Sequence, residues 1–191
     1  NVLSDIATII TDITINFSGP ILENSFVGLT QLTTITIGNL ITSIGNKAFY
    51  GCINLETIII DNGVTNIGNE AFIDCDKLTS INIPTTVQTI GNSVFSGCSN
   101  IQTISLPNSI TTIGTNLCFG CSKLTSITLP NSIDIIPDFM FKNCVLLSSI
   151  NIPSSVTIIG EDAFGYCSVL TSVTIPDTVT TIDNFAFRNC T

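Results

Sequence analysis

Along most of the chain the apolar residues recur in one fixed order. Leu55, Ile58 and Ile60 lead to Val64 and Ile67, then to Ala71 and Phe72, and finally to Cys75. The same order returns with Leu78, Ile81, Ile83, Val87, Ile90, Val94, Phe95 and Cys98. Cys52, Cys75, Cys98, Cys121, Cys144, Cys167 and Cys190 give the period, 23 residues, and Leu29 holds the same slot one unit earlier. The L-x-x-I-x-I portion alternates apolar with polar residues and predicts a strand. Pro84, Pro107, Pro130, Pro153 and Pro176 then remove a ladder N–H and predict its end and a corner. A second short apolar pair follows, closed by Gly45, Gly68, Gly91, Gly114 or Gly160, where a positive φ is expected. The run from Ala-Phe to the Cys slot, through Gly51, Asp74, Gly97, Gly120, Asn143 or Asn189, predicts a one-turn helix with a left-handed cap. Tyr166 departs from that residue choice.

One such unit cannot bury its apolar side chains alone, whereas stacked copies bury them against each other. The chain therefore predicts a solenoid of about eight coils, the first divergent and one residue shorter, the last truncated. Seven steps at roughly 4.8 Å give a stack roughly 34 Å long. We read residues 1–191 as one continuous domain. The chain starts at Asn1 without a Met or a leader and ends inside a repeat, so it reads as a fragment of a longer one.

Pattern and composition together narrow the chemistry. Of the 191 residues, 44% are apolar and 10% charged, enough for a core. Fourteen Asp and Glu against five scattered Lys and Arg give a formal charge of -9, which argues against nucleic acid as a partner. Polar residues interrupt every Ile-rich run before a membrane-spanning length, so membrane insertion is not expected. The chain has no His. With no G-x-S-x-G elbow or phosphate-cradling loop either, no enzymatic activity and no cofactor or metal are expected. Cys118-Phe119-Gly120-Cys121 has the C-x-x-C form, but Cys121 is a member of the ladder and Cys118 replaces a Phe, so redox or zinc chemistry is not inferred. Equivalent cysteines in a stack project in parallel, so buried free thiols are expected rather than disulfides.

The polar positions of the strands form two outward columns: Thr34, Thr36, Thr57, Ile59, Ser80, Asn82, Thr103, Ser105, Ser126, Thr128, Ser149, Asn151, Ser172 and Thr174. Small hydroxyls and amides suit any exposed strand. They also suit a contact surface of low entropic cost, or ice binding, which Ser and Asn in half the places disfavour. The residue after each Phe slot runs from Val27, Tyr50 and Ile73 to Lys142 and Arg188, a possible apolar stripe along the early coils. Glu56, Asp61, Asp74 and Asp76 form the most charged region, without the converging spacing of a calcium site. Asn16-Phe17-Ser18 is an acceptor sequon.

The pattern L-x-x-I-x-I-P-x-x-V-x-x-I-G-x-x-A-F-x-x-C, carried by residues 10 to 190, resembles the BspA-like, treponemal-type leucine-rich repeat. Pro137 and Asp183 depart from its corner glycine, and Cys118 from its Phe. The resemblance implies a right-handed, curved α/β solenoid with a parallel β-sheet on the concave face and short strands, turns and one-turn helices on the convex side. It further implies a non-enzymatic binding or adhesion module, secreted or at the cell surface, recognising a protein or cell-surface ligand through the two outward columns. A monomer is expected. The alternative is a structural spacer displaying another domain.

Overall fold

The computed structural model describes residues 10–190; residues 1–9 and 191 of the expected domain lie outside the described part. The chain winds into a parallel β-solenoid of about seven turns. The first six coils each contribute a first strand and, beyond a corner, a second one; the last two contribute only the second. The first strands are β1 (Asp12–Ile15), β3 (Thr34–Ile37), β5 (Thr57–Ile60), β7 (Ser80–Asn82), β9 (Thr103–Ser105) and β11 (Ser126–Thr128). The second strands are β2 (Gly19–Ile21), β4 (Ile41–Ile44), β6 (Asn66–Ile67), β8 (Thr89–Ile90), β10 (Thr112–Ile113), β12 (Ile135–Ile136), β13 (Ile158–Ile159) and β14 (Thr181–Ile182).

Every pairing is parallel and in the register that the repeat dictates, Thr34 opposite Thr57 and Ser80 opposite Thr103. Coil one is a residue short: Gly19 pairs Ile41, but Ile21 pairs Ile44, so the irregularity in β2 absorbs the deletion. The strands line one continuous core. Phe26, Phe49, Phe72 and Phe95 stack ring on ring at 5.1 to 5.9 Å, and Phe141, Phe164 and Phe187 resume the column. Cys118 interrupts it. The missing volume does not come from Phe119, which is half-buried and does not pack against the core. Fully buried Leu117 stands where Ala48, Ala71, Ala163 and Ala186 stand in other coils, and restores bulk beside Cys118.

Three expectations are corrected. First, the described residues contain no helix. In the run from Lys47 to Cys52, the N–H groups of Lys47, Phe49 and Gly51 donate to Asn69, Ala71 and Ile73 of the next coil. Those of Ala48, Tyr50 and Cys52 close turns back to Gly45, Lys47 and Phe49. An α-helix needs every N–H to turn back four residues, and here every second one leaves for the neighbouring coil. Two left-handed residues bracket the run. One is the expected cap, Gly51 or Tyr166 for example; the other is a column through Lys47, Glu70, Ser93, Asn116, Phe139, Asp162 and Phe185.

Second, the corner glycines do not have positive φ. They are glycine because the preceding coil passes too close for a side chain. A Cβ on Gly68 would lie 2.7 Å from both the backbone N and Oδ1 of Asn46. Asn46 is held there because its Oδ1 accepts the N–H of Asn69 at 2.8 Å, and Asn69 and Asn92 repeat the bond to Asn92 and Thr115. At the two departures, Pro137 faces Thr115 and Asp183 faces Glu161, whose side chains accept no N–H from the next coil.

Third, the sheet of first strands is not continuous. It divides into β1-β3-β5 and β7-β9-β11, with no pairing between β5 and β7. Gly38 donates to Ile15 and Asp61 to Ile37, each at 2.9 Å. The next residue in that column is Pro84, which has no N–H to offer the carbonyl of Ile60. Ser149, Asn151, Ser172 and Thr174 lie in segments without strand pairing.

Candidate binding face

Alternation along the first strands sends Ile58, Ile81, Ile104 and Ile127 into the core and the residues between them outward. Of the two expected columns, Thr34 and Thr36 are half-buried, and Thr57, Ile59, Ser80, Asn82, Thr103, Ser105, Ser126, Thr128, Ser149, Asn151, Ser172 and Thr174 are exposed. None of these polar side chains makes a hydrogen bond within the described protein.

That contrasts with the polar columns at the corners. Thr86, Ser109, Ser132, Ser155 and Thr178 donate to the carbonyls of Val64, Val87, Ile110, Ile133 and Val156 of the preceding coil. Thr33, Thr65, Thr111, Thr125, Thr157 and Thr180 likewise donate to backbone carbonyls one coil back. Those groups staple the stack. The strand columns have no such duty.

Where the sheet divides, a concavity of about 460 Å³ opens between coils three and four, lined by Ile59, Ile60, Asp61, Asn62, Asn82, Ile83, Pro84 and Thr85. Ile59 and Asn82 belong to the expected columns. Asp61, Asn62 and Thr85 were not singled out as site residues; the signal available was the change from Gly38 and Asp61 to the run of prolines that begins at Pro84 in the same column. The remaining acids of that region do not converge. Asp76 accepts from Ser99 Oγ at 3.1 Å, and the carboxyl of Asp74 is raised above its ordinary value by burial first and by the Asp76 charge second. No group of three or more His, Cys, Asp or Glu is placed to hold a metal ion among the described residues.

All eight cysteines are free, and seven are buried. Each ladder thiol donates to the carbonyl of the Phe slot one coil back: Cys98 to Phe72 and Cys121 to Phe95 at 3.1 Å, Cys144 to Cys118 at the same distance. Burial pushes the Cys52 thiol up to about 11 and Cys167 up to about 12, and Cys98 and Cys144 well above 9.0. Such thiols are poor nucleophiles and poor metal ligands.

A second polar cluster went unforeseen. Buried Asp162 binds Lys142 Nζ at 2.9 Å and Arg188 Nη2 at 2.7 Å, tying the last three coils together. Gly165, after Phe164, leaves room for that carboxylate, and the Arg188 guanidinium lies 5.0 and 4.9 Å from the Tyr166 and Phe185 rings. The apolar stripe expected after the Phe slots is therefore only partial: Val27 is exposed, Tyr50, Ile73 and Phe119 are half-buried, and Lys142 and Arg188 serve the ion cluster.

The sequence matches the family description "BspA type leucine rich repeat region", in six copies, over residues 19–146 and 134–191. Among solved structures, a leucine-rich repeat protein of T. pallidum superposes with a TM-score of 0.80 at 27% identity, covering 85% of this chain and 78% of that one. A leucine-rich cell surface protein of Faecalibacterium prausnitzii gives 0.60 at 21% identity over 97% and 79%. A leucine-rich repeat protein of Bacteroides ovatus gives 0.52 at 21% over 95% and 76%; these last two speak to fold alone. No curated protein matches the sequence. With its 23-residue period, its ladder of Phe and Cys, and a family match that spans nearly all the described residues, the chain belongs to the BspA-type leucine-rich repeat family.

Proposed function

We propose that this chain is a non-enzymatic binding module of the cell exterior that recognises a protein or cell-surface ligand through its first-strand face. The observation that carries the reading is the division of labour among polar side chains. Corner hydroxyls and amides are consumed in holding coil to coil, whereas Thr57, Ser80, Asn82, Thr103, Ser105 and Ser126 are exposed and uncommitted. Small side chains lose little rotamer freedom when a partner orders them, and their hydroxyls and amides can pair with its polar groups. Family membership supports a repeat scaffold for binding, and the relative from F. prausnitzii is described as a cell surface protein. We place this chain outside the cell on the same grounds, as a monomer that adheres.

The test is a block substitution, because a wide polar platform spreads its affinity over many contacts. Thr57, Ser80, Thr103 and Ser126 are replaced by Lys, folding is confirmed by circular dichroism, and adhesion to host cells and extracellular-matrix proteins is compared with the parent. Lost adhesion with an intact fold is expected. Full retention would remove the strand face as the contact surface, and absence of adhesion by the parent would favour a spacer.

A further inference from the structure

The concavity at the sheet division differs chemically from the rest of the strand face. Ile59, 48% exposed, is the one aliphatic side chain among the described outward column positions, and it borders the opening. Around it stand Asp61, Asn62, Asn82 and Thr85, none of which makes a side-chain hydrogen bond within the described protein. The carbonyl of Ile60 is an additional acceptor, because Pro84 occupies the place of the N–H that would meet it. The lining contains no cation. Of the five cations, Lys47, Lys142 and Arg188 are paired with acids elsewhere, Lys123 Nζ is bound to Asn100, and exposed Lys77 lies outside the lining. The chain as a whole carries -9.

We propose that this concavity is an anchoring subsite for an arginine side chain presented by a partner protein. Resting on the strand-face reading given above, it names the partner's chemistry. A guanidinium offers five donors in one plane and no acceptor, which matches a carboxylate, amide oxygens and a spare backbone carbonyl with no competing cation. The aliphatic stem of the arginine lies against Ile59, whose exposure is otherwise uncompensated. The negative field of the chain draws such a segment in, so association weakens with salt.

The experiment is an amide-resolved NMR titration of the intact chain with N-acetyl-arginine amide, with the neutral isostere N-acetyl-citrulline amide in parallel. Saturable shifts clustered at Ile59 to Asn62 and Asn82 to Thr85, with the citrulline compound leaving them still, are expected. In Asp61→Asn the affinity should fall roughly tenfold, as befits loss of one charge-assisted partner. Pro84→Ala, which returns an N–H to the Ile60 carbonyl, should weaken it less. Shifts scattered over all acidic residues, equal binding by citrulline, or a response to simple sugars in place of arginine would each overturn the proposal. The outcome is separable from the block-substitution test, since a face that adheres without an arginine subsite, and a subsite that binds arginine on a non-adhering chain, give opposite pairs of results.

Discussion

The strand side and the turn side of each coil carry the same repeat, yet only one of them is continuous. On the strand side the ladder splits between β5 and β7 and gives out beyond β11. On the turn side the bonds from Phe49 to Ala71, Phe72 to Val94, Phe95 to Leu117, Phe141 to Ala163 and Phe164 to Ala186 run from the second coil to the last at 2.8 to 3.0 Å. Cys118 donates to Met140 at 2.9 Å in the same series, so even the coil that lost its ring keeps the backbone bond. In a one-dimensional stack each interface contributes its own stability, and a continuous turn side leaves the strand side free to change. A binding surface can vary there without unfolding the scaffold.

The sharpest way to break that contrast is one substitution on each side. Phe72 is fully buried between Phe49 and Phe95, at 5.3 and 5.9 Å. Phe72→Ala should cost about 3–5 kcal/mol in urea unfolding, with both a cavity and a broken stack to account for it. Thr103→Ala, exposed and unbonded, should change stability by no more than about 0.5 kcal/mol. Comparable losses from the two would mean that the strand side bears load after all.

The corner glycines sharpen the comparison further, because two kinds of glycine serve the turn side for opposite reasons. A Cβ on Gly91 would meet Asn69 Oδ1 at 2.5 Å and its backbone N at 2.7 Å, although its φ is ordinary. Gly120 has a φ of +74° and nothing nearer than the Gly97 nitrogen at 4.0 Å. Gly91→Ala should therefore cost about 1–3 kcal/mol by crowding, and Gly120→Ala about 1 kcal/mol by backbone strain alone. Adding Asn69→Thr, the residue type that stands opposite Pro137, should recover part of the first loss and none of the second. Equal behaviour of the two variants on that background would remove the close-approach explanation.

Those glycines also mark how far the fold could be read from the chain. Period, strand positions, the Phe column and the free thiols follow from which residue types recur, because burial selects for them directly. The left-handed column through Lys47, Glu70, Ser93 and Phe139 left no such trace, since its φ is imposed by bonds to the next coil and its side chains vary freely. The helical reading failed for the same reason: turn residues and apolar pairs at short range look alike whether the N–H groups turn back or cross over. The link between corner glycine and preceding asparagine was present in the letters, as the pairs Thr115 with Pro137 and Glu161 with Asp183 show, but it requires reading down the stack rather than along the chain. Of the candidate face, the two columns were legible from alternation. The concavity was not, because it opens where β5 and β7 do not pair, which no single residue type announces.

The thiol column is the part of the turn side whose contribution depends on pH. Cys98 is fully buried and donates to Phe72 O at 3.1 Å, so Cys98→Ala should cost about 1 kcal/mol at neutral pH. Burial keeps its thiol protonated in the fold to a pH well above 9.0, while in the unfolded chain it ionises at its ordinary value. The stabilisation is then complete below pH 9.0 and is lost as pH rises from there toward the folded value, because only the unfolded state releases the proton. Cys52, pushed up to about 11, and Cys167, pushed up to about 12, act in the same direction over the same window. Unfolding free energy measured under reducing conditions from about pH 8 to about pH 11 should therefore decline in the parent and decline less steeply in Cys98→Ala. Because the two proteins differ at Cys98 alone, the difference between the two slopes isolates the thiol. Parallel curves would show that Cys98 is no more protonated in the fold than out of it, and the thiol-to-carbonyl bond would then be no part of what makes the turn side the stronger of the two.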